Sequence, residues 1–472
     1  MIMGNPLPFV EAYVEQLSAG LESHQPKAGL SRGQKAWLSF GLMGIMVTES
    51  VCWRKWVRAG LGRYSEALLS WYFRGPMAWG LLLSFSVKLL LESFGTWEGV
   101  LVLDDTGKRR AKVTKRIPYV HYFKDKQGTG TMRGQEIVFL VLVTAVVTIP
   151  VAFAFYQPDP AYSAWAKADK RLKRQGVSKA KRPAPPPDNP AYPSKPQLAL
   201  RLLEQFAHDH PLVKVKAILA DALYGSAAFM AQAAKPWGEA QVISQLRHDQ
   251  KVRYRGRSWR LDEYFRAHPG VRQTVRIRGG ERVEVWVSSA RLYVEAHGGK
   301  RFVVAIRYPD QDAYRYLVAT ELSWRSLDIV QAHTLRWLVE VAIEDLKVYE
   351  GWGQATKQPG DEGSSRGLIL SLLCDHCLLL HPDQQARVDQ QQPLSTIGSL
   401  QRRLQLDSLV AWLQQWLVDD DAFADKLDQL TQAIQPLFPL QPSKKHLHRR
   451  DWGRLEPTPA LQYRARQAKA NA

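Results

Sequence analysis

The chain has 472 residues, enough for about two to four domains with a substantial core. Hydrophobic residues make up 45% of it and there are 16 tryptophans, which excludes a largely disordered protein. Three cysteines in a chain of this length argue against a disulfide framework and, with no secretory signal visible at the start, favour a reducing compartment such as the cytoplasm.

The net charge of +19 is concentrated in three segments. Residues 108–126 and 167–182 each carry eight Lys or Arg against one acid, and residues 444–469 carry eight against two. Such segregation is typical of a polyanion binder, and none of the segments is amphipathic enough for a membrane-surface helix. We therefore expect a nucleic acid as partner and no membrane. The tail at 444–469 either tracks DNA, contacts a second subunit or is simply solvated.

Residues 1–95 are predicted to be helical. Ser31 with Gln34 has the pattern of a capping box, followed by helices over 35–59, 65–73 and 79–94 that are separated by glycine turns. Basic residues in this region suit a small DNA-binding bundle. A helical subdomain that packs on the next domain is an equally good interpretation.

Residues 96–239 are predicted to contain buried strands, unlike the helical region before them. A β-branched apolar run at 99–107 ends in Asp104 and Asp105, which indicates a buried strand that reaches a site. The run at 137–156 has twenty uncharged residues, enough to cross a bilayer, but its β-branched composition and its break near Pro150 favour two buried strands. A further strand at 213–221 ends in Asp221.

Two more regions interrupt or extend this pattern. The Pro- and Lys-rich stretch at 158–196 is predicted to be a semi-rigid or disordered loop. Short alternating runs with turn residues at 240–322 predict an all-β segment of five to seven strands. The remaining domains are then 323–385, which completes the core, and a helical C-terminal region at 386–472 with the basic tail.

The stretch His333 to Lys347 has no glycine or proline, and its apolar residues recur at helical spacing. One face carries Arg336, Glu340, Glu344 and Lys347. This face is either a solvated ladder of ion pairs or a functional surface, in which Glu340 binds metal, Arg336 and Lys347 hold phosphate, and Glu344 orients the two cations.

Three carboxylates can form a metal site if the fold brings them together. Asp104, Asp221 and Glu340 are 117 and 119 residues apart, so they converge only if the two strands are neighbours and the helix packs across them. Clustered carboxylates repel each other unless a cation neutralises them, and hard oxygen ligands select Mg²⁺ or Mn²⁺. A pair of such ions supports phosphodiester displacement. Either Asp104 or Asp105 could be the first ligand; the Asp-x-Thr pattern at the strand end favours Asp104, with Asp105 pointing to the opposite side.

These residues resemble the motifs of cut-and-paste DDE transposases of bacterial insertion sequences. The glutamate motif of that group is Tyr, two residues, Arg, three residues, Glu, six residues, Lys. The present chain has His333, Arg336, Glu340 and Lys347 at the same spacing, with histidine in place of the tyrosine. The strand with Asp104, the strand with Asp221 and the β-rich segment between Asp221 and Glu340 follow in the group's order, so the resemblance covers roughly 96–380.

The resemblance implies an α/β, RNase H-like mixed sheet with helices on both faces, interrupted by an all-β insertion and flanked by helical N- and C-terminal regions. Asp104, Asp221 and Glu340 would be the catalytic metal ligands, holding two Mg²⁺ or Mn²⁺ ions. The reaction would be nicking at the ends of a transposon in double-stranded DNA, a hairpin intermediate and joining to target DNA, carried out by a homodimer.

The same resemblance assigns four residues to DNA. Arg336, Lys347 and His333 would contact phosphates, and Tyr316 would stack on a flipped base in the place of the group's tryptophan. Two alternatives are an RNase H-type nuclease without strand transfer and a DNA-binding protein that has lost catalysis.

Overall fold

A computed structural model describes residues 3–110, 117–125, 130–238, 240–277, 280–354, 360–416, 427–429, 431–432, 435 and 438–458. Within the first 95 residues the chain forms five helices: α1 (Pro8–His24), α2 (Arg32–Thr48), α3 (Trp53–Ala59), α4 (Glu66–Arg74) and α5 (Trp79–Ser93). The predicted capping box is present, with the Ser31 hydroxyl accepting from the Gln34 backbone and the Gln34 side chain accepting from the Ser31 backbone. The predicted helix at 35–59 is two helices, because the chain turns at Glu49, whose φ is 52°.

The sheet begins with an antiparallel group and continues with parallel strands. The elements are β1 (Glu98–Arg109), β2 (His121–Lys124), β3 (Thr131–Val143), β4 (Thr148–Tyr156), α6 (Pro160–Arg174), α7 (Lys195–Asp209), β5 (Lys214–Leu219), α8 (Ala227–Ala234) and β6 (Gln241–Leu246). Strand β3 pairs antiparallel with β1 on one side and with β2 and β4 on the other. Strands β1, β5 and β6 are parallel neighbours, which gives the order β4-β3-β1-β5-β6.

The uncharged run at 137–156 forms β3 and β4, as predicted, with the turn at 144–147 instead of at Pro150. Pro150 is tolerated inside β4 because that strand pairs with β3 alone, at the edge of the sheet. Among the described residues, no single helix is both long and apolar enough to cross a bilayer. Two bent pairs of helices, α2 with α3 and 362–379 with 382–389, pass the same length and composition test together.

The prediction of an unstructured loop at 158–196 is wrong in its first half, where α6 forms. Asp159 caps this helix by accepting from the Ala161 backbone, and Pro160 occupies its first turn. The following segment folds back on the helix, since Arg182 forms an ion pair with Asp169 at 2.8 Å. The helix is possible here because its only proline is Pro160 at its start, whereas most prolines of the stretch lie at 183–196.

The β-rich segment extends the same sheet. The elements after β6 are β7 (Lys251–Tyr254), β8 (Arg257–Arg260), α9 (Leu261–Ala267), β9 (Val271–Ile277), β10 (Glu281–Val294), β11 (Gly299–Arg307) and β12 (Arg315–Ala319). Strand β12 pairs antiparallel with β6, so the described strands form one sheet of twelve. The expected five to seven strands are present from β6 onwards, but helix α9 interrupts them and β6 itself completes the parallel part of the core.

The helix predicted from His333 to Lys347 is broken. Leu335 and Arg336 form a tight turn, with the Leu335 N–H bonded to Ala332 and the Arg336 N–H to His333, three residues back in each case. Further helices follow. The helices of this half are α10 (Ser326–Thr334), α11 (Trp337–Val348), α12 (Asp361–Leu379), α13 (Pro382–Asp389) and α14 (Ile397–Trp416).

Helices cover both faces of the sheet, as expected for an RNase H-like fold. On β1, Val100 and Val102 belong to the core formed with α11 and α12, whereas Leu101 and Leu103 belong to the core formed with α7 and α8. The N-terminal helices pack into the first of these cores, with Trp37 completely buried. The alternation of β1 side chains thus decides which helices each residue faces.

The described part of the basic tail is folded onto the protein. Lys445 is 3% exposed and lies 2.6 Å from Asp345 of α11 and 3.6 Å from Asp375 of α12. Burial alone would lower the pKa of Lys445, but these two carboxylates and that of Glu350 outweigh burial and raise it. Lys445 is therefore unavailable to DNA, contrary to the expectation of a tail that tracks it, and residues 459–469 lie outside the described residues.

Lys445→Met is expected to lower the free energy of unfolding by about 3–5 kcal/mol, because it leaves buried carboxylates without their cation. Lys444→Met is the matched control, since Lys444 is exposed and its ion pair with Glu281 is worth about 1 kcal/mol or less. Urea denaturation of both variants checks this, and equal losses would show that Lys445 does not hold α11 and α12 together.

Candidate metal centre

The register of two parallel strands brings the two predicted aspartates together. The last parallel pair of β1 and β5 is Val102 with Leu219, and Asp104 and Asp221 each follow two residues later. Strand β1 continues beyond this point along β3, whereas the chain leaves β5 and Asp221 caps a short turn by accepting from the Leu223 N–H at 2.9 Å. Two residues distant in sequence therefore lie side by side at one edge of the β1–β5 pairing.

The acidic cluster formed here consists of Asp104, Asp105 and Asp221. One carboxylate oxygen of each lies within 4.8 Å of those of the other two. Burial, with smaller contributions from Asp221 and Asp105, raises the pKa of Asp104 to about 6 against the opposing effects of Arg336 and of the Asp105 N–H. Below that pH, a cation that binds Asp104 has to displace a proton.

Asp104 and Asp105 leave β1 on opposite faces and have different partners. The Asp105 carboxylate accepts from Lys195 at 2.8 Å, and Lys195 also donates to Glu136 at 2.7 Å. His121 lies 2.8 Å from the other oxygen of Glu136. Asp105 is thus part of an ion-pair network on the α7 side. Asp104 lies on the opposite face, where Arg336 at the start of α11 donates to it.

Glu340 is joined to Asp104 through one arginine. Arg336 donates from Nη1 to Asp104 and from Nη2 to Glu340, each at 2.8 Å. Glu340 is half-exposed, so its side chain is able to turn. The guanidinium acts as a stand-in cation between two carboxylates, and a third carboxylate, that of Asp221, lies beside Asp104. This set of oxygen donors fits a hard divalent cation.

A row of cations continues from the acids along the same face of β1. Lys347 donates to the Thr106 hydroxyl at 2.7 Å, two residues beyond Asp104. Lys108 is 5% exposed, and its ammonium has no hydrogen-bond partner in the described structure. Both ammonium groups lie over the ring of Trp352, at 5.6 and 5.2 Å. Lys108 was not among the predicted site residues, although the two-residue period of the strand from Asp104 points to it.

His333 does not reach this site. Its ring is buried, and the Gln245 side chain of β6 donates to it at 3.0 Å. Burial lowers the pKa of His333 to about 3, helped by Arg336 and Arg315, so the ring stays neutral near pH 7. The predicted phosphate contact is wrong in this structure because the turn at Leu335 and Arg336 places His333 on α10 and directs it into the core.

Tyr316 is also directed into the core. It is 5% exposed, and its ring centroid lies 5.8 Å from that of Phe265 on α9. A buried ring has no face available to a base, so the predicted stacking is wrong in this structure. Only strands were predicted in this segment, whereas the structure has helix α9, which covers this side of β12.

Comparison with known families agrees with the geometry of the site. Residues 63–281 match the model of a family described as DDE superfamily endonuclease. The matched part includes Asp104, Asp105 and Asp221 and stops before α11. It supports a DDE-type nuclease or transposase, a class that uses divalent metals. A search of curated proteins gave no match.

Proposed function

We propose that this chain is a DNA transposase of the DDE type, which nicks transposon ends in double-stranded DNA and joins them to target DNA. The observation that carries the proposal is that Asp104 and Asp221 lie together at the ends of two neighbouring strands, with Arg336 joining Asp104 to Glu340 on the helix packed across them. The family match supports the endonuclease chemistry. The β-rich segment between Asp221 and Glu340 favours the insertion-sequence group.

Each residue at the centre has a defined task in this proposal. Asp104, Asp221 and Glu340 hold two Mg²⁺ or Mn²⁺ ions. When bound, such ions activate an attacking oxygen and stabilise the leaving oxygen in phosphodiester displacement. Arg336 and Lys347 hold the phosphates that flank the scissile bond, because both cations lie beside the acids on the face of β1 that carries Asp104.

Lys108 extends that phosphate contact. Its buried ammonium lies near Lys347 and has no hydrogen-bond partner in the described structure. Burial lowers the pKa of Lys108 well below its ordinary value, and the cations of Arg110 and Lys347 add to this effect. A phosphate beside Lys108 would reverse that shift, so DNA binding would favour its charged form.

Arg336 has two alternative partners, the acids and a DNA phosphate. While the guanidinium bridges Asp104 and Glu340, it opposes binding of a second cation to the same oxygens. Arg336→Ala is therefore expected to tighten Mn²⁺ binding to the DNA-free protein by about tenfold, a coupling of ordinary size. Isothermal titration measures it, with Lys347→Ala as control because Lys347 bonds to Thr106 and Gly107. Unchanged or weaker Mn²⁺ binding in Arg336→Ala would contradict this exchange.

Incubation of the protein with Mg²⁺ or Mn²⁺ and a labelled DNA duplex that carries the ends of the transposon tests the proposed activity. Hairpin or joined products identify a transposase. Simple nicks identify an RNase H-type nuclease without strand transfer, and a mobility shift without cleavage identifies a DNA-binding protein that has lost catalysis. The same products would decide whether the reaction passes through a hairpin.

The remaining regions take supporting roles in this proposal. Residues 1–95 contribute to DNA binding, residues 240–322 form the insertion, and a homodimer assembles on the DNA in the bacterial cytoplasm. The core would comprise 96–239 and 323–385, with 386–472 as the C-terminal region. Analytical ultracentrifugation of the protein with and without an end duplex tests the dimer.

A further inference from the structure

A cavity of about 350 Å³ lies on the other side of the α10–α11 junction from the acidic cluster. It is lined by the end of β9, by the junction itself and by residues 447–451 of the C-terminal segment, and it opens to solvent. Its volume falls within the range of small-molecule sites, roughly 300–1,000 Å³. Trp337 and Leu338 line it, whereas Arg336 between the two helices points to the acids instead.

The lining is strongly cationic. It includes three arginines and one histidine against one acid, namely Arg276, Arg449, Arg450, His448 and Asp451. The acid is already engaged, since its two oxygens lie 2.6 Å from Arg276 and 3.0 Å from the Gly453 N–H. The cavity therefore carries an excess positive charge that Asp451 does not offset.

Arg450 is the most informative of these residues. Its side chain is 7% exposed, and it donates from Nη2 to the Lys445 carbonyl, while Nε has no hydrogen-bond partner in the described structure. Burial lowers the pKa of Arg450 to about 10, and no carboxylate counteracts the shift. A buried guanidinium without an anion is costly, so an anion in the cavity would remove much of that cost.

His448 strengthens the same argument. Both of its ring nitrogens are buried and lack a hydrogen-bond partner among the described residues. Together with Arg450 Nε, they leave three unsatisfied polar atoms on two residues that line one cavity. Unsatisfied polar atoms of this kind cost free energy unless a ligand bonds to them, and an anion would bond to the Arg450 Nε–H and to a protonated nitrogen of His448. A tetrahedral oxyanion supplies several acceptor oxygens at once and suits the planar guanidinium.

We propose that this cavity binds a phosphate group, with Arg450, Arg449 and His448 as its principal ligands. The site is separate from the acidic cluster and does not depend on metal or on cleavage. The phosphate could be free or part of a nucleic-acid backbone, because both present the same oxygens to these residues. A phosphate held here would contact the junction that sets the positions of Arg336 and Glu340.

Isothermal titration of the full chain with inorganic phosphate, in EDTA, tests the proposal. Saturable binding is expected, weakened about tenfold or more in Arg450→Gln and to a smaller extent in Arg449→Ala. Arg266→Ala on α9 is the control, because Arg266 is exposed and remote from this lining, and should bind phosphate as the wild type does. Arg449 is exposed, so its variant decides the question if Arg450→Gln does not fold.

Absence of saturable binding to the wild-type protein would overturn the proposal, as would unchanged binding in both variants. Duplex DNA binding in EDTA then identifies the source of the phosphate. If a backbone phosphate enters, Arg449→Ala lowers the salt dependence of DNA binding by about one ion, and free phosphate competes with DNA. If the ligand is free phosphate, DNA binding is unchanged in Arg449→Ala although phosphate binding is weakened.

Discussion

Asp104→Asn is expected to reduce metal-dependent DNA nicking by on the order of 10³-fold, because it removes the charge of one of the three carboxylates proposed to bind the metal ions. The amide keeps the size of the carboxyl group and removes its charge. It also removes the ionised partner of Arg336, which bonds to Asp104 at 2.8 Å. Nicking of a labelled duplex with Mg²⁺, compared at equal amounts of folded protein, measures the effect.

Asp105→Asn is the matched control, one residue along the same strand. Asp105 is paired with Lys195 on the opposite side of β1, so its variant should lose some stability and keep nicking within about tenfold of wild type. If Asp104→Asn retains wild-type nicking while Asp105→Asn loses it, the assignment of the first ligand is reversed. Circular dichroism of both variants separates loss of activity from loss of fold.

Glu340→Gln should have an effect of similar size, on the order of 10²–10³-fold on nicking. Glu340 is the one acid of the three that the helix supplies, and its distance from the strand acids is spanned by Arg336. The loss should appear in the rate and in Mn²⁺ affinity, whereas DNA binding in EDTA should be unchanged because Arg336 and Lys347 remain.

Glu344→Gln tests whether position on the helix decides this result. Glu344 lies one turn beyond Glu340, is exposed, and forms no ion pair with any described residue, so its expected role in orienting the cations is not seen. Its variant should nick DNA at the wild-type rate. Equal losses in Glu340→Gln and Glu344→Gln would indicate a general effect of helix charge and would contradict a ligand role for Glu340.

The parts of the site that were predictable depend on local chemistry and strand geometry. Apolar β-branched runs that end in Asp104 and Asp221 are visible in the sequence, and parallel pairing in register then places the two acids at one edge. Because side chains alternate along a strand, the sequence alone also puts Asp104 and Asp105 on opposite faces of β1. The β-rich segment and the buried strands at 137–156 follow from similar patterns, whereas the RNase H-like arrangement of the sheet was implied by the resemblance to a transposase family.

The parts that were not predictable depend on contacts between distant residues. The turn at Leu335 and Arg336 contains neither glycine nor proline, and it directs His333 into the core. Tyr316 is covered by α9, a helix of seven residues that lies within a run of strands. The sequence around Lys445 is compatible with a solvated basic tail. In the structure, however, Lys445 pairs with Asp345 and Asp375, 100 and 70 residues earlier in the chain.

Crystals of the full chain soaked in Mn²⁺ would show, through the anomalous signal of the metal, whether Asp104, Asp221 and Glu340 form one metal site. We expect an ion in contact with the carboxylates of Asp104 and Asp221, Glu340 turned towards it, and Arg336 displaced from Asp104. An ion held by Asp105 and Asp221 alone, with Arg336 still bonded to Asp104 and Glu340, would contradict it.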